Sequence, residues 1–489
     1  MRKSGILFHI SSLPNKYGIG TFGKEAYEFV DFLKKAGQAY WQVLPLGPTS
    51  YGDSPYQNFS AFAGNPYFID FDLLENEGLL KKREYRKLAT REMRVDYEKI
   101  YNTRFEVLKL AFNRFDCSDE EYLLFKKENE YWLDNYSLFM AIKNDQVPGN
   151  WLGWEEKYAK RDSEAIENFI KENENNIEFY KFIQFQFTKQ WNRLKKYAND
   201  NGILIIGDIP IYVAYDSSDV WSDPKSWQLN ENLEPTFVAG CPPDAFSPEG
   251  QLWGNPLYNY ELMEKNGYDW WVKRIGKAFE LYDVVRIDHF RGFEAYYSIP
   301  YGDKNAIFGH WEKGPGMGLF NAVKEKLGDV DIIAEDLGFL TEEVHKLLAD
   351  TGYPGMKIIE FAFDPYGDSD YMPHNMTSNC VVYPGTHDNL TLKAWIETLP
   401  EDVKKFCYDY VGIKNDKEAV DKLICCCLGC VSDKAIIQLT DYLNLGADAR
   451  FNEPSTLGNH NWTWRINKRM LTDKLAKKIY DMNKLYRRV

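Results

Sequence analysis

Eight short runs of apolar, β-branched residues constrain this chain more than any other feature. They fall at 6–10, 40–44, 203–209, 284–288, 331–335, 356–361, 380–384 and 435–439, each ending in a polar or glycine-proline cluster. Strands buried on both faces of a parallel sheet read this way, because neither face can be left polar. Several of the runs are followed by segments of helical period. In 23–37, Ala26, Phe29, Val30, Leu33 and Ala36 share one face, and Gly37 closes the helix. Strand then helix, repeated, implies right-handed parallel crossovers. Eight such units predict an α/β fold of the (β/α)8 barrel type, with a doubly wound open sheet as the alternative topology.

Two stretches break the repeat. Residues 75–201 are rich in Glu, Lys, Tyr and Leu at helical spacing, with almost no strand signal. They are expected to form a helical insertion subdomain between the first barrel units, 1–74, and the remaining ones, 202–489. Residues 212–260 are rich in Pro, Gly, Asp and Trp with little periodicity, which predicts a long irregular loop of the kind that carries function. The last barrel unit lies near the end of the sequence, so no C-terminal β-domain is expected.

A chain of 489 residues can bury a large core, and a formal net charge of -14 with no basic run argues against nucleic acid as a partner. The apolar stretch 5–10 is too short for a signal sequence and meets His9 and Ser11 at once. No run is long enough to span a membrane, and the eight cysteines are too sparse and irregular for a disulfide scaffold, so a reducing cytoplasm is expected. Cys425, Cys426, Cys427 and Cys430 have no nearby histidine, and consecutive helical residues diverge, so they read as helix-core residues rather than metal ligands. Neither metal nor cofactor is expected.

If the barrel forms, the chemistry lies at the C-terminal ends of its strands. Arg286 and Asp288 lie two residues apart on one run, so a strand sends both to the same side. A guanidinium beside a carboxylate keeps it charged and aimed, as a nucleophile requires, although a structural buried ion pair would read the same way. A second run ends in Glu335-Asp336 and a third leads into Thr386-His387-Asp388. Retaining glycoside chemistry needs one carboxylate as nucleophile and a second as acid/base, about 5 to 5.5 Å apart. The three runs supply those two and more. Aromatic residues make up 16% of the chain, and their flat faces suit pyranose rings as well as a core.

Arg286-Ile287-Asp288-His289, Ala334-Glu335-Asp336 and Thr386-His387-Asp388 together resemble the catalytic regions of the α-amylase clan. Tyr51-Gly52-Asp53-Ser54-Pro55-Tyr56-Gln57, Gly64-Asn65-Pro66-Tyr67, Gly207-Asp208-Ile209-Pro210 and Pro242-Pro243-Asp244-Ala245-Phe246 narrow the likeness to the amylomaltase (4-α-glucanotransferase) family. So do Gly250-Gln251-Leu252-Trp253-Gly254-Asn255-Pro256-Leu257-Tyr258, Pro354-Gly355-Met356-Lys357 and Asn461-Trp462-Thr463-Trp464-Arg465. The resemblance implies Asp288 as nucleophile, Glu335 as general acid/base and Asp388 as transition-state stabiliser. It implies further that Asp208, Arg286, His289 and His387 line the cleaved glucose, with Trp253 on a loop over the cleft and Tyr56, Phe361 and Asn461 as glucan contacts. The implied partners are α-1,4-glucans and maltooligosaccharides, with glucose as an acceptor. The segment 451–460 departs from the compact glycine-rich turn usual in the family, which bears on Asn461 alone. A plain α-glucan hydrolase and a catalytically silent glucan-binding protein are the competing readings. The three acids argue against the second, since binding alone would not need them.

Overall fold

Twelve strands form among the described residues: β1 (Lys3–Leu7), β2 (Tyr40–Gln42), β3 (Leu204–Pro210), β4 (Phe237–Cys241), β5 (Gln251–Pro256), β6 (Val284–Asp288), β7 (Ala295–Pro300), β8 (His310–Lys313), β9 (Ile332–Ala334), β10 (Gly355–Ile358), β11 (Cys380–Tyr383) and β12 (Lys434–Gln438). The structure is a computed structural model describing every residue except Met1, Tyr51, Val147, Pro148, Asp244, Ala245, Phe246, Phe339 and Asn459. The eight apolar runs are β1, β2, β3, β6, β9, β10, β11 and β12. They close a barrel in the order β1-β12-β11-β10-β9-β6-β3-β2, parallel at every junction. The open-sheet alternative is thereby set aside.

The two-residue period explains how one strand serves two cores. Leu7, Ile206, Val284, Ile333, Met356, Ile358, Val381, Tyr383 and Ile436 point inward and fill the barrel as one cluster. Their neighbours Ile6, Ile205, Val285, Ile287, Ile332, Val382 and Ile437 point outward into the main core beneath the helices. The helix Lys24–Lys35 buries Ala26, Phe29, Val30, Phe32 and Leu33 on that core, and Gly37, at φ 67°, turns the chain toward β2.

Residues 75–201 carry helices and no strand among the described residues, the longer ones being Tyr97–Phe112, Glu120–Glu128, Glu130–Asp145, Ser163–Glu172 and Glu174–Asp200. Tyr122, Phe125, Trp132, Tyr136 and Phe185 form an aromatic cluster there, joined by Phe62 from the preceding segment. The last helix serves both cores. Phe185 belongs to the aromatic cluster, while Trp191, Leu194 and Ala198 join the core under the barrel, where the Trp191 indole N–H donates to the Leu281 carbonyl at 2.9 Å.

The reading of 212–260 as irregular loop needs correction. It contributes β4 and β5 to a four-stranded antiparallel sheet of order β5-β4-β7-β8, completed by the two strands after β6. A register shift between Val238 and Gly240, together with Gly254 at φ 76°, breaks the alternation that would have marked these strands. This sheet stands beside the C-terminal mouth of the barrel and forms one wall of the cleft.

Gly207 shows how tightly β3 is packed just before Asp208. A Cβ there would lie 2.1 Å from the Tyr282 ring, a contact that only displacement of β3 or of the tyrosine could relieve. Gly207→Ala is expected to lower stability by about 2 kcal/mol, read from urea unfolding midpoints. A change below roughly 0.5 kcal/mol would contradict this packing.

Candidate active site

Inward-facing positions at the C-terminal ends of β3 and β6 bring Asp208, Arg286 and Asp288 together. Ile206 and Asp208 share a side of β3, and Val284, Arg286 and Asp288 share a side of β6; Asp208 pairs with Arg286 in the register. The Arg286 guanidinium reaches both carboxylates. Nη1 donates to the two oxygens of Asp208 at 2.8 and 2.7 Å, and Nη2 donates to Asp288 Oδ1 at 2.8 Å. Asp208 is wholly buried and also accepts the Tyr56 hydroxyl at 2.8 Å, whereas about a third of the Asp288 side chain remains exposed. Burial pushes Asp208 up to about 6 against the pull of Arg286. The buried acid anchors the arginine, and the arginine presents the accessible one.

Glu335 follows β9, whose Ala334 pairs with Ile287, so it stands next to Asp288 at the barrel mouth. Its two oxygens accept backbone N–H groups, Oε2 from His289 at 2.6 Å and Oε1 from Leu337 at 2.8 Å. Burial, with the nearby charge of Asp288 adding to it, pushes this carboxyl up to about 8, opposed by Arg286 and by both N–H donors. These surroundings favour the protonated form of Glu335. His289 makes this geometry possible. It adopts φ 55° and ψ 48°, a left-handed conformation costing a non-glycine residue about 1 kcal/mol or more, and so turns its N–H onto Glu335 directly after Asp288. Asp336 points away and accepts the Met356 N–H at 2.6 Å, which makes it a brace for β10.

The third acid stands on the loop after β11. Asp388 Oδ1 accepts the Asn452 amide at 2.7 Å and lies 3.4 Å from His387 Nε2, with close to half of the side chain exposed. Tyr56 stacks on His387 at 5.1 Å between ring centroids and 16° between planes, and Trp462 closes on both. The opposite wall is Trp253, on β5 rather than on a free loop, set edge-on to His289 at 4.8 Å and flanked by Tyr212. Between the walls runs a cleft of about 450 Å³ lined by Tyr56, Tyr212, Trp253, Asp288, His289, His387 and Asp388 among others.

Four expected sugar contacts are not brought to this lining: Asp208 and Arg286 lie buried beneath it, and Phe361 and Asn461 stand elsewhere. Phe361 projects outward beyond β10, packed edge-on against Tyr371. Asn461 is buried in the 453–461 turn, where Oδ1 accepts the Glu453 N–H and Nδ2 donates to Thr456. Its neighbour Trp462 takes the place at the cleft. Tyr51, Asp244, Ala245, Phe246 and Asn459, from the family-like and divergent segments, lie outside the described residues. Three residues that sequence reasoning missed belong here: Asn452, Trp462 and Tyr212. Trp462 stood inside a quoted motif, but a family motif marks all its residues alike and singled out Asn461.

A parallel barrel with a protonated acid beside an accessible carboxylate, walled by aromatic rings, defines a class: barrel enzymes acting on glycosidic bonds. Comparison with known proteins identifies the family within it. Residues 8–472 match the family described as 4-alpha-glucanotransferase, glycoside hydrolase family 77. The 4-alpha-glucanotransferase of Clostridium butyricum is 51% identical over 98% of this chain and 99% of its own, and that of Aquifex aeolicus 45% identical over 95% and 96%. The solved amylomaltase of Streptococcus agalactiae, in complex with acarbose, superposes with a TM-score of 0.97 at 42% identity over the whole of both chains. This chain belongs to the 4-alpha-glucanotransferase family.

Proposed function

We propose that the 4-α-glucanotransfer of this family runs here as a retaining double displacement, with Asp288 as nucleophile, Glu335 as acid/base and Asp388 as transition-state stabiliser. The observation that carries the reading is the division between the two neighbouring acids. Glu335 is pushed up to about 8 and can give a proton, while Asp288, held by Arg286, faces the cleft. Asp288 attacks the anomeric carbon as Glu335 protonates the departing oxygen, leaving a glycosyl ester on Asp288. Glu335, now a carboxylate, takes the proton of the incoming 4-hydroxyl as that oxygen displaces Asp288. Atoms balance without a metal or a cofactor. Asp388 engages sugar hydroxyls as positive charge develops on the ring.

His289 and Tyr212 are further sugar contacts. His289 Nε2 and the Tyr212 hydroxyl both lie just beneath the cleft wall, without hydrogen-bond partners among the described residues, and a Cβ on Gly292 would sit 3.2 and 3.6 Å from these two side chains. Both side chains line the cleft, and a docked sugar packs against them there. Burial lowers His289 to about 4, so its imidazole is neutral and can donate or accept. Asp208 and Arg286 act behind the sugar by holding Asp288, and His387 stacks with Tyr56 at the far wall.

Transfer rather than hydrolysis follows from the rings of that cleft. Water makes few contacts, whereas an acceptor sugar stacks on Trp253, Tyr56 and Trp462 and reaches attack geometry with that binding energy. Maltooligosaccharides and glucose are the acceptors of this reading. Eight cysteines scattered through 489 residues suit a reducing cytoplasm better than a disulfide scaffold, and no helix among the described residues is long and apolar enough to cross a membrane. Incubated with maltotriose alone, the protein is expected to form glucose and a ladder of longer chains with almost no gain in total reducing ends, because transfer conserves bond number. Trp253→Ala removes roughly 1 kcal/mol of acceptor stacking and shifts the partition about fivefold toward water. Reducing ends that climb steadily, with no product longer than the donor, would establish a hydrolase instead.

A further inference from the structure

The loop that carries Asp388 rests on a buried acid that the chemistry above does not use. Glu360 follows β10, and its backbone N–H donates to the Pro384 carbonyl at 3.1 Å, where the chain leaves β11. Its Oε1 is sealed from solvent, and a Cβ on Gly385 would lie 2.8 Å from that atom, so the loop passes directly over the carboxyl. The same Cβ would lie 3.0 Å from Asn389 Cβ, so the carboxyl and Asn389 flank the loop at one point. Asn389 Oδ1 accepts both the N–H and the hydroxyl of Thr386 at 2.9 Å, and Thr386 Oγ1 accepts the Asp388 N–H at 3.4 Å. Glu360 therefore packs beneath the loop at Gly385 and Asn389, and a hydrogen-bonded chain continues from Asn389 through Thr386 to the backbone of Asp388.

The surroundings secure that chain from the other side. Asp441, an electrostatic neighbour of Glu360, accepts the Leu392 N–H at 2.8 Å where the loop ends, and Arg450 Nη2 donates to the Asp388 carbonyl at 2.6 Å. Burial pushes the Glu360 carboxyl well above its ordinary range, and mutual repulsion with Asp441 adds to this. A glutamine keeps the length and shape of this side chain.

We propose that Glu360 is a positioning residue for the transfer reaction, setting through Asn389 and Thr386 the place of Asp388 at the cleft. The proposal rests on the reading of Asp388 as a substrate-facing acid. A group that acts only through Asp388 changes the transition state more than ground-state binding, and an acid displaced by about 1 Å loses up to roughly 100-fold in rate.

The test is a double-mutant cycle on the full chain, with maltotriose disproportionation as the readout and far-UV circular dichroism and melting as controls. Glu360→Ala is expected to lower kcat about 10- to 100-fold with KM within about twofold, and Glu360→Gln to restore most of the loss. In the Asp388→Asn background, Glu360→Ala should cost less than about twofold more. Should Glu360→Ala not fold, Glu360→Asp, which shortens the arm by one carbon, takes its place in the cycle. Losses that multiply in the double variant, an unchanged kcat, or a change confined to KM would overturn the positioning role. An Asp388→Asn protein as active as the parent would instead remove the role of Asp388 itself, a distinct failure.

Discussion

Asp288→Asn is expected to abolish transfer, lowering kcat by about 10⁴-fold or more while the barrel remains folded. The size follows from the step removed. An amide cannot form the glycosyl ester, and among the described residues no other carboxylate receives the Arg286 Nη2 hydrogen bond. Stability should change little, because Asp208 retains the bidentate contact with Nη1 and the Asp288 side chain is partly exposed. Circular dichroism and the urea midpoint measure the second point, and the maltotriose ladder measures the first. Turnover within about tenfold of the parent would remove Asp288 from the role.

Glu335→Gln is the second large effect, and it carries a pH signature. The carboxyl sits at about 8, so the acid form prevails below that pH and is lost as pH rises through it. The sign is that of a basic limb: parent activity falls as pH rises and Glu335 loses its proton, and the variant, slower by about 10³-fold or more, has no such limb. Gln keeps an oxygen for only one of the two backbone donors, His289 N–H or Leu337 N–H, so some local loosening accompanies the chemical loss. The rate of the first step separates the two. A glycosyl fluoride leaves without needing a proton, and with it the variant should recover the first step and then stall, since no base remains to activate the acceptor. Equal loss on fluoride and on maltotriose would mean that Glu335 is not the acid.

The barrel was legible because its strands are buried on both faces. Val284 faces the barrel interior and Val285 the helices, so both must be apolar, and polarity appears only where Arg286 and Asp288 reach the mouth. The second sheet was hidden for the opposite reason. β5 alternates between partly exposed and exposed residues over its first four positions, β8 is the polar edge strand His-Trp-Glu-Lys, and the bulge in β4 interrupts its period. Acids at strand ends could be placed from spacing within a single strand, and the family likeness gave them roles. Asn452 could not be found in that way. It meets Asp388 across 64 residues of chain, through a turn whose path depends on Arg450 and Trp462 as much as on itself. The amide of Asn461 looked equally available in the sequence, yet both its ends are spent inside the turn. His289 stood in a motif, but its left-handed backbone, which aims the N–H at Glu335, has no signature in residue type.

The claim on which the rest depends is that Asp288 becomes covalently glycosylated while Glu335 manages the proton. The most direct measurement uses Glu335→Gln protein mixed with an α-maltosyl fluoride, quenched in acid, digested and mapped by mass spectrometry. The account predicts a maltosyl adduct on the peptide bearing Asp288, accumulating at early times and absent from Asp288→Asn/Glu335→Gln protein. An adduct on another residue, or fluoride release at a steady rate with no adduct on any peptide, would contradict it.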